Sequence, residues 1–395
     1  LSRVLWIGDA AAHTGFARVT HAIGERLVGM GHDVHVLASQ YTGDYWPTPL
    51  KLYYPKRRDG GDYYGRTRML EMLALEPDVV VLLGDPWVHI QLLFENPYDP
   101  KRLLLQYRPL IGYSPIDGIN TPPAWSILAE VEKRVAMTKF GRQEAMPEAP
   151  VVYHGTEAET FHPVSEDWPL TLSNGDTVTS KRECKEKFGF NPDGFLVLRV
   201  DTNSDRKDYP SSWKALTPVL KRHRDIQVHF HCVKGHSNAS VNMEALTDRD
   251  PATKDRYFFP DLVTLSHGWP EEDLVGLYNA ADLFLSTSRG EGFGLTLTEA
   301  AACGVPIVAQ NVSSIPEVVG PGALLVEPLA QVTVPSGQDM WLADVDAFSE
   351  AIETLYLDVD RCQRLGASGR EHVSKFTWDF AAARFHEFIR ELHPD

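Results

Sequence analysis

Long apolar runs are missing from this sequence of 395 residues, cysteine is scarce, and positive charge is in the minority. No stretch approaches the roughly 20 consecutive apolar residues of a membrane-spanning helix, so none is expected. The opening Leu1 to Gly8 reads as a buried strand, not as a signal peptide. The four cysteines, Cys184, Cys232, Cys303 and Cys362, fall in no C-x-x-C spacing. Reduced, mostly buried thiols in a reducing, cytoplasmic setting are the simplest reading. Lys and Arg number 38 against 54 Asp and Glu, a formal net charge of -16. Such a field repels a phosphate backbone and counts against a nucleic-acid partner. The basic stretches Lys56-Arg57-Arg58 and Lys221-Arg222-His223-Arg224 carry no interleaved aromatics and read as solvated faces or local anion contacts. Peripheral membrane contact stays open, although no lysine-rich amphipathic helix argues for it.

A metal signature is also lacking. The 15 histidines show no convergent ligand spacing. The one D-x-D triplet, Asp358-Val359-Asp360, continues a helical pattern from Ala351. Neighbours two apart on a helix do not face one ion. No metal and no cofactor are therefore expected.

What the sequence does have is hydrophobic periodicity. Val4 to Ile7 reads as a strand, Ala17 to Met30 as one apolar helical face, and Val34 to Leu37 as the next strand, a βαβ opening. Further strands are expected at Val79–Leu83, Arg102 to Gln106, Arg134 to Thr138 and Val151–Tyr153. Residues from Phe161 to Thr179 are rich in Pro, Ser, Thr, Asp and Gly and read as a linker. A second α/β set follows, with strands at Phe195–Val200, Gln227 to Cys232, Ala281–Leu285 and Val305–Ala309, and helices at Ser212 to Leu220 and Leu297 to Ala302. Residues 236–256 read as an insertion, and Trp378 to Leu392 as an amphipathic helix able to pack back across the domain boundary.

The densest chemical signal is Ser288-Arg289-Gly290-Glu291-Gly292-Phe293-Gly294-Leu295-Thr296-Leu297-Thr298-Glu299. The glycines let backbone turn tightly and approach a ligand. A helix starting near Leu295 or Thr296 presents free N–H groups at its positive end, suited to a phosphate. Glu291 in the loop and Glu299 a turn into the helix can each accept bonds from sugar hydroxyls. By itself this pattern also fits an ordinary strand–helix turn with solvated glutamates.

The stretch closely resembles the E-x7-E signature of the retaining GT-B glycosyltransferases of family 4. Thr14-Gly15-Phe16 with Gly31-His32-Asp33-Val34, and Val151 to Thr156 with Phe161-His162-Pro163, resemble that family's other landmarks. The resemblance implies an α/β architecture of two Rossmann-like parallel-sheet domains facing each other across a cleft. Their expected limits are 1–163 on the acceptor side and 164–374 on the donor side, with a helix at 375–395 crossing back to the first domain. It implies that Glu291 binds the transferred hexose, Glu299 the ribose, and backbone at Gly294, Leu295 and Thr296 the diphosphate, with Phe293 in the sugar loop and Gly15 near the donor. Lys207 matches the family's phosphate-binding lysine. Thr202 stands where its arginine is usual, and Arg206 can supply that charge. Asp117, in the loop Gly112 to Gly118, is the candidate facing the anomeric centre or acceptor hydroxyl; it also fits a plain turn.

The expected activity is transfer of a hexose from a UDP- or GDP-linked sugar to a hydroxyl of a saccharide, lipid-linked or small-molecule acceptor. Front-face attack is expected, the donor phosphate taking the proton. Two alternatives stand beside it: a catalytically reduced nucleotide-sugar binding module, and a sugar-phosphate synthase or phosphorylase-like activity. Donor base, sugar, acceptor and oligomeric state are not legible.

Overall fold

The computed structural model describes residues 1–394 except 13, 56–63, 94–108, 236–238, 262–264 and 266–267. The chain divides into two compact units, one comprising Leu1–Gly155, Val334–Gln338 and Phe376–Asp395, the other Thr156–Thr333 and Asp339–Lys375.

In the first unit, short apolar runs form central strands buried on both faces, as parallel sheets covered by helices require, while the two edge strands are partly exposed. They are β1 (Arg3–Gly8), β2 (Asp33–Ala38), β3 (Lys51–Tyr53), β4 (Val79–Leu83), β5 (Leu110–Ser114) and β6 (Lys133–Ala136), all parallel, in spatial order β3-β2-β1-β4-β5-β6. Helices α1 (Gly15–Gly29), α2 (Arg66–Met72), α3 (Pro86–Leu93) and α4 (Lys139–Ala145) link or follow them. Thr14 and Thr138 cap α1 and α4, each accepting a bond from a first-turn N–H. One core joins Leu5, Ile7, Val80, Leu82 and Leu110 of the sheet to Met69 and Met72 of α2.

The second unit repeats this order. After a short hairpin, β7 (Leu170–Thr171) and β8 (Thr177–Val178), come α5 (Lys181–Lys187), β9 (Phe195–Val200), α6 (Tyr209–Arg222), β10 (Ile226–His231), α7 (Met243–Thr247), β11 (Tyr257–Phe258), α8 (Glu271–Ala280), β12 (Leu283–Ser286), α9 (Leu295–Ala302), β13 (Ile307–Gln310), α10 (Ile315–Val319) and β14 (Ala323–Val326). The strands align in parallel as β11-β10-β9-β12-β13-β14. An antiparallel pair, β15 (Pro328–Thr333) and β16 (Asp339–Ala343), precedes α11 (Val345–Leu357) and α12 (Val359–Val373). The core sets Val197, Val228, Phe230, Leu283, Leu285 and Val308 against Ala215, Leu216 and Val219 of α6 and Phe348, Ile352 and Leu355 of α11, two helices that also touch each other where Ser349 Oγ donates to the Ala215 carbonyl.

The last helix, α13 (Trp378–Leu392), is counted with the first unit. Its Phe385 ring lies 5.7 Å from Trp6 and 5.1 Å from Tyr113, and Trp378 stacks on His154. A Cβ at Gly155 would sit 2.2 Å from the Trp378 backbone nitrogen, so only glycine allows this approach.

Four expectations are revised. The loop expected from Gly112 begins as strand: residues 112–114 are the second half of β5, and Asp117 follows that strand by three residues. Val151 contributes a single parallel bridge to Ala136 in place of a full strand. Residues 161–179 hold the β7–β8 hairpin. The D-x-D triplet does not continue one helix: α11 stops at Leu357, and the Asp358 side chain caps α12 by accepting from the Arg361 N–H. The strand expected at 102–106, the triplet 56–58 and the first three residues of the 236–256 insertion lie outside the described residues.

Candidate active site

Both sheets reverse their winding between the first and fourth strands in sequence, β1 and β4 in one unit, β9 and β12 in the other. In open parallel sheets, ligands bind beyond the carboxyl ends of the strands at this switch point. In the second unit, the loops leaving β9 and β12 carry Asp201 to Lys207 and Thr287 to Gly294. The two loops are tied together, the Arg289 N–H donating to the Arg206 carbonyl at 2.8 Å.

The side chains of these loops converge on Glu291. Lys207 Nζ lies 2.7 Å from Glu291 Oε1 and 2.5 Å from Asp201 Oδ1. Arg206 Nη1 lies 3.0 Å from Glu291 Oε2 and donates to the Gly290 carbonyl at 2.5 Å. Glu291, Lys207 and Asp201 are almost wholly buried, while the Arg206 side chain keeps 32% of its exposure. Burial works against ionisation of Glu291, but the charges of Lys207 and then Arg206 overcome it and hold the carboxyl down to about 2. The backbone of Glu291 is fixed by the loop after β13: its N–H donates to Ser313 Oγ at 2.9 Å, and Ser314 Oγ donates to its carbonyl at 2.7 Å.

Beneath this group lies Arg199, fully buried on β9. It donates to Thr287 Oγ1 at 2.7 Å and to the Lys207 carbonyl, sits 3.7 Å from Asp201 Oδ2, and faces the Tyr209 ring at 4.3 Å. A buried guanidinium is tolerated only when so surrounded by acceptors. Asp208, in left-handed backbone at φ 49°, closes the loop and caps α6 through the Ser211 N–H.

Gly294 starts α9 in left-handed backbone at φ 98°, and a Cβ there would come within 2.9 Å of Leu297 Cδ1. Glycine thus lets the chain enter the helix directly from the Glu291 loop. No acidic side chain occupies the first turn of α9, and no side chain caps it. Its positive end, at half-buried Gly294, Leu295 and Thr296, is left for an anion. Phe293 is buried. Glu299, buried on the same helix, accepts from the Tyr278 hydroxyl at 2.8 Å.

The sequence-derived candidates thus sort by unit. Glu291, Lys207 and Arg206 meet directly, and Gly294 to Thr296 follow Glu291 in one turn. Gly15 begins α1 after β1, and Asp117 follows β5; both belong to the first unit. The sequence reading missed Asp201, Arg199, Tyr278 and the Ser313–Ser314 clamp. A carboxylate directly after a strand that ends in Arg199-Val200 was the available signal for the first two. Among the described residues, no group of three or more His, Cys, Asp or Glu side chains could hold a metal ion.

Two six-stranded parallel sheets of one strand order, with charged loops at the switch point of the second, define a protein of the GT-B fold. The crystal structure of Anabaena Alr3699/HepE in complex with UDP and glucose matches over 99% of this chain and 100% of that one, with a TM-score of 0.72 at 14% identity. Residues 180–372 match the family Glycosyl transferases group 1. The D-inositol 3-phosphate glycosyltransferase of Corynebacterium jeikeium (strain K411) is 35% identical over 183 residues, 46% of this chain and 40% of that protein. The O-antigen chain mannosyltransferase B of Escherichia coli is 39% identical over 110 residues, 28% of this chain and 25% of that protein. The chain therefore spans less than half the length of these two relatives.

Proposed function

We propose that this protein is a glycosyltransferase that moves a hexose from a nucleoside-diphosphate sugar, UDP- or GDP-linked, to a hydroxyl acceptor with retention at the anomeric carbon. The observation that carries this reading is the buried meeting of Lys207, Arg206 and Glu291 one turn before the open start of α9. The family match and the names of the relatives, a D-inositol 3-phosphate glycosyltransferase and an O-antigen chain mannosyltransferase, support it.

In the proposed reaction the C1–O bond to the diphosphate breaks and a C1–O bond to the acceptor forms on the same face. The acceptor proton passes to a donor phosphate oxygen. Lys207, Arg206 and the N–H groups at Leu295 and Thr296 stabilise the charge growing on the diphosphate. Glu291, released from part of its cation contact, takes the hexose hydroxyls. Glu299, which accepts from the Tyr278 hydroxyl, takes the ribose diol. In the first unit, Gly15 admits the donor closely and Asp117 faces the acceptor. The acceptor is a saccharide, a lipid-linked sugar or a small aglycone. Among the described residues, no helix is long and apolar enough to cross a membrane.

The test is a thermal-shift screen of UDP, GDP, ADP and their sugars, followed by turnover with the nucleotide that stabilises. A ligand at 100 times its Kd raises stability by about 2.7 kcal/mol. No stabilisation by any nucleotide, with no transfer, removes the reading. Donor hydrolysis or transfer sets it apart from a binding module. Glu299→Ala is expected to weaken the matching nucleoside diphosphate by about tenfold or more, the loss of a charge-assisted contact to hydroxyls. Titration calorimetry reads that change, and an unaltered affinity rules out the ribose contact.

A further inference from the structure

We infer that Asp201 is a positioning residue, balanced from below by Arg199, that holds the Lys207 ammonium in place and restrains its grip on a diphosphate. The inference rests on the proposed donor site. It concerns a residue that does not itself meet the donor.

Lys207 Nζ touches two carboxylates, Asp201 Oδ1 at 2.5 Å and Glu291 Oε1 at 2.7 Å. Their tasks differ by position. Glu291 follows the β12 strand and is shared with Arg206, whereas Asp201 directly follows β9. Asp201 instead faces Arg199, whose guanidinium also donates to the Lys207 carbonyl. The Asp201 carbonyl accepts from Tyr209 at 3.0 Å, and Tyr209 packs against the same guanidinium. Backbone and side chain of Lys207 are therefore both fixed by the Arg199–Asp201 pair, one end by each partner.

The charge count gives this arrangement a consequence. Arg199, Arg206 and Lys207 bring three positive charges, and Asp201 and Glu291 two negative ones. An incoming diphosphate competes with both carboxylates for Lys207. In a site this buried, such competition is weakly screened by water. Asp201 cannot leave, because it is anchored over Arg199, so its charge opposes the diphosphate throughout binding and release. A site without that charge holds the diphosphate more tightly and lets it go more slowly. In many enzymes product release, not chemistry, limits the rate, and there a restrained lysine favours turnover.

The variant Asp201→Asn keeps the shape and an oxygen for Lys207 while removing the charge. It is expected to bind the nucleoside diphosphate found in the screen about tenfold more tightly, a change of about 1.4 kcal/mol. The corresponding nucleoside, which carries no phosphate, is expected to bind as it does to the parent. Turnover should fall while KM falls with it. A purely structural role for Asp201 predicts a lower Tm and weaker binding of both ligands, which overturns the proposal. Equal or weaker diphosphate binding at an unchanged Tm overturns it as well. Should Asp201→Asn fail to fold, Asp201→Ser carries the same expectation for diphosphate affinity. If the parent chain binds no nucleoside diphosphate, the donor-site reading fails first and this inference falls with it; if the parent binds and Asp201→Asn does not tighten, only the role of Asp201 fails.

Discussion

Lys207→Met is expected to slow sugar transfer by about 10²–10³-fold, the loss typical when one preorganised donor to a developing anion is removed. The lysine side chain is about nine-tenths buried, so its charge acts with little help or hindrance from water. Methionine keeps most of the volume and removes the ammonium alone. The fold should survive, because each carboxylate that Lys207 touches retains a second cation: Arg206 at 3.0 Å for Glu291 and Arg199 at 3.7 Å for Asp201. The stability loss should therefore stay below the ~3–5 kcal/mol of a buried charge stripped of its only partner. Lys207→Arg restores the charge but not the point geometry, and should recover only part of the rate. Initial rates with the identified donor, read beside Tm, check both statements. Turnover within a few-fold of the parent in a folded Lys207→Met protein refutes the phosphate role of this residue.

How far the sequence could be read depended on whether a feature was local. The sheets were legible because buried parallel strands must be short apolar runs, and Val79–Leu83 and Phe195–Val200 are such runs. Helix α13 was legible to the residue at Trp378–Leu392, its apolar positions recurring at helical spacing and its cap, Thr377, standing just before it. β5 was missed, its residues from Gly112 being read as loop, because Gly112 and Ser114 dilute its apolar pattern. The small residues sit on a strand buried by its neighbours, and tertiary packing outweighs their weak strand preference. At the candidate site, the Glu291 loop and the α9 start were legible because glycine, helix start and carboxylate lie in one stretch. Lys207 was found through its resemblance to a family lysine. Asp201 and Arg199 were not, since their meaning depends on Lys207 Nζ folding back over β9 toward Glu291, a contact spanning loops more than 80 residues apart. The Ser313–Ser314 clamp was hidden for the same reason, being set by the next loop along the sheet.

The second large effect belongs to Glu291→Gln. Glutamine keeps the length of the side chain and a carbonyl oxygen for Lys207, and it leaves Arg206 its contact with the Gly290 carbonyl. What disappears is the negative charge that can hold hexose hydroxyls and favour a positively charged sugar ring. Transfer is expected to fall by about 10²-fold, while the nucleoside diphosphate lacking the sugar binds at least as tightly as before. The ratio of the two affinities, diphosphate against its sugar, isolates the sugar contact. A ratio unchanged from the parent removes Glu291 from the sugar. Acid adds an independent check. In the folded protein Lys207 and Arg206 hold this carboxyl at about 2 against its own burial, below the ordinary value of 4.5. A group lowered on folding stabilises the protein above its unfolded value, and that contribution is lost as pH falls through the folded one. The parent should therefore exceed Glu291→Gln in stability by a margin that is constant near neutrality and shrinks from about pH 4.5 to about pH 2. Unfolding curves of the two proteins across that window read the margin directly; if it does not change with pH, the carboxylate is not ionised between its two cations.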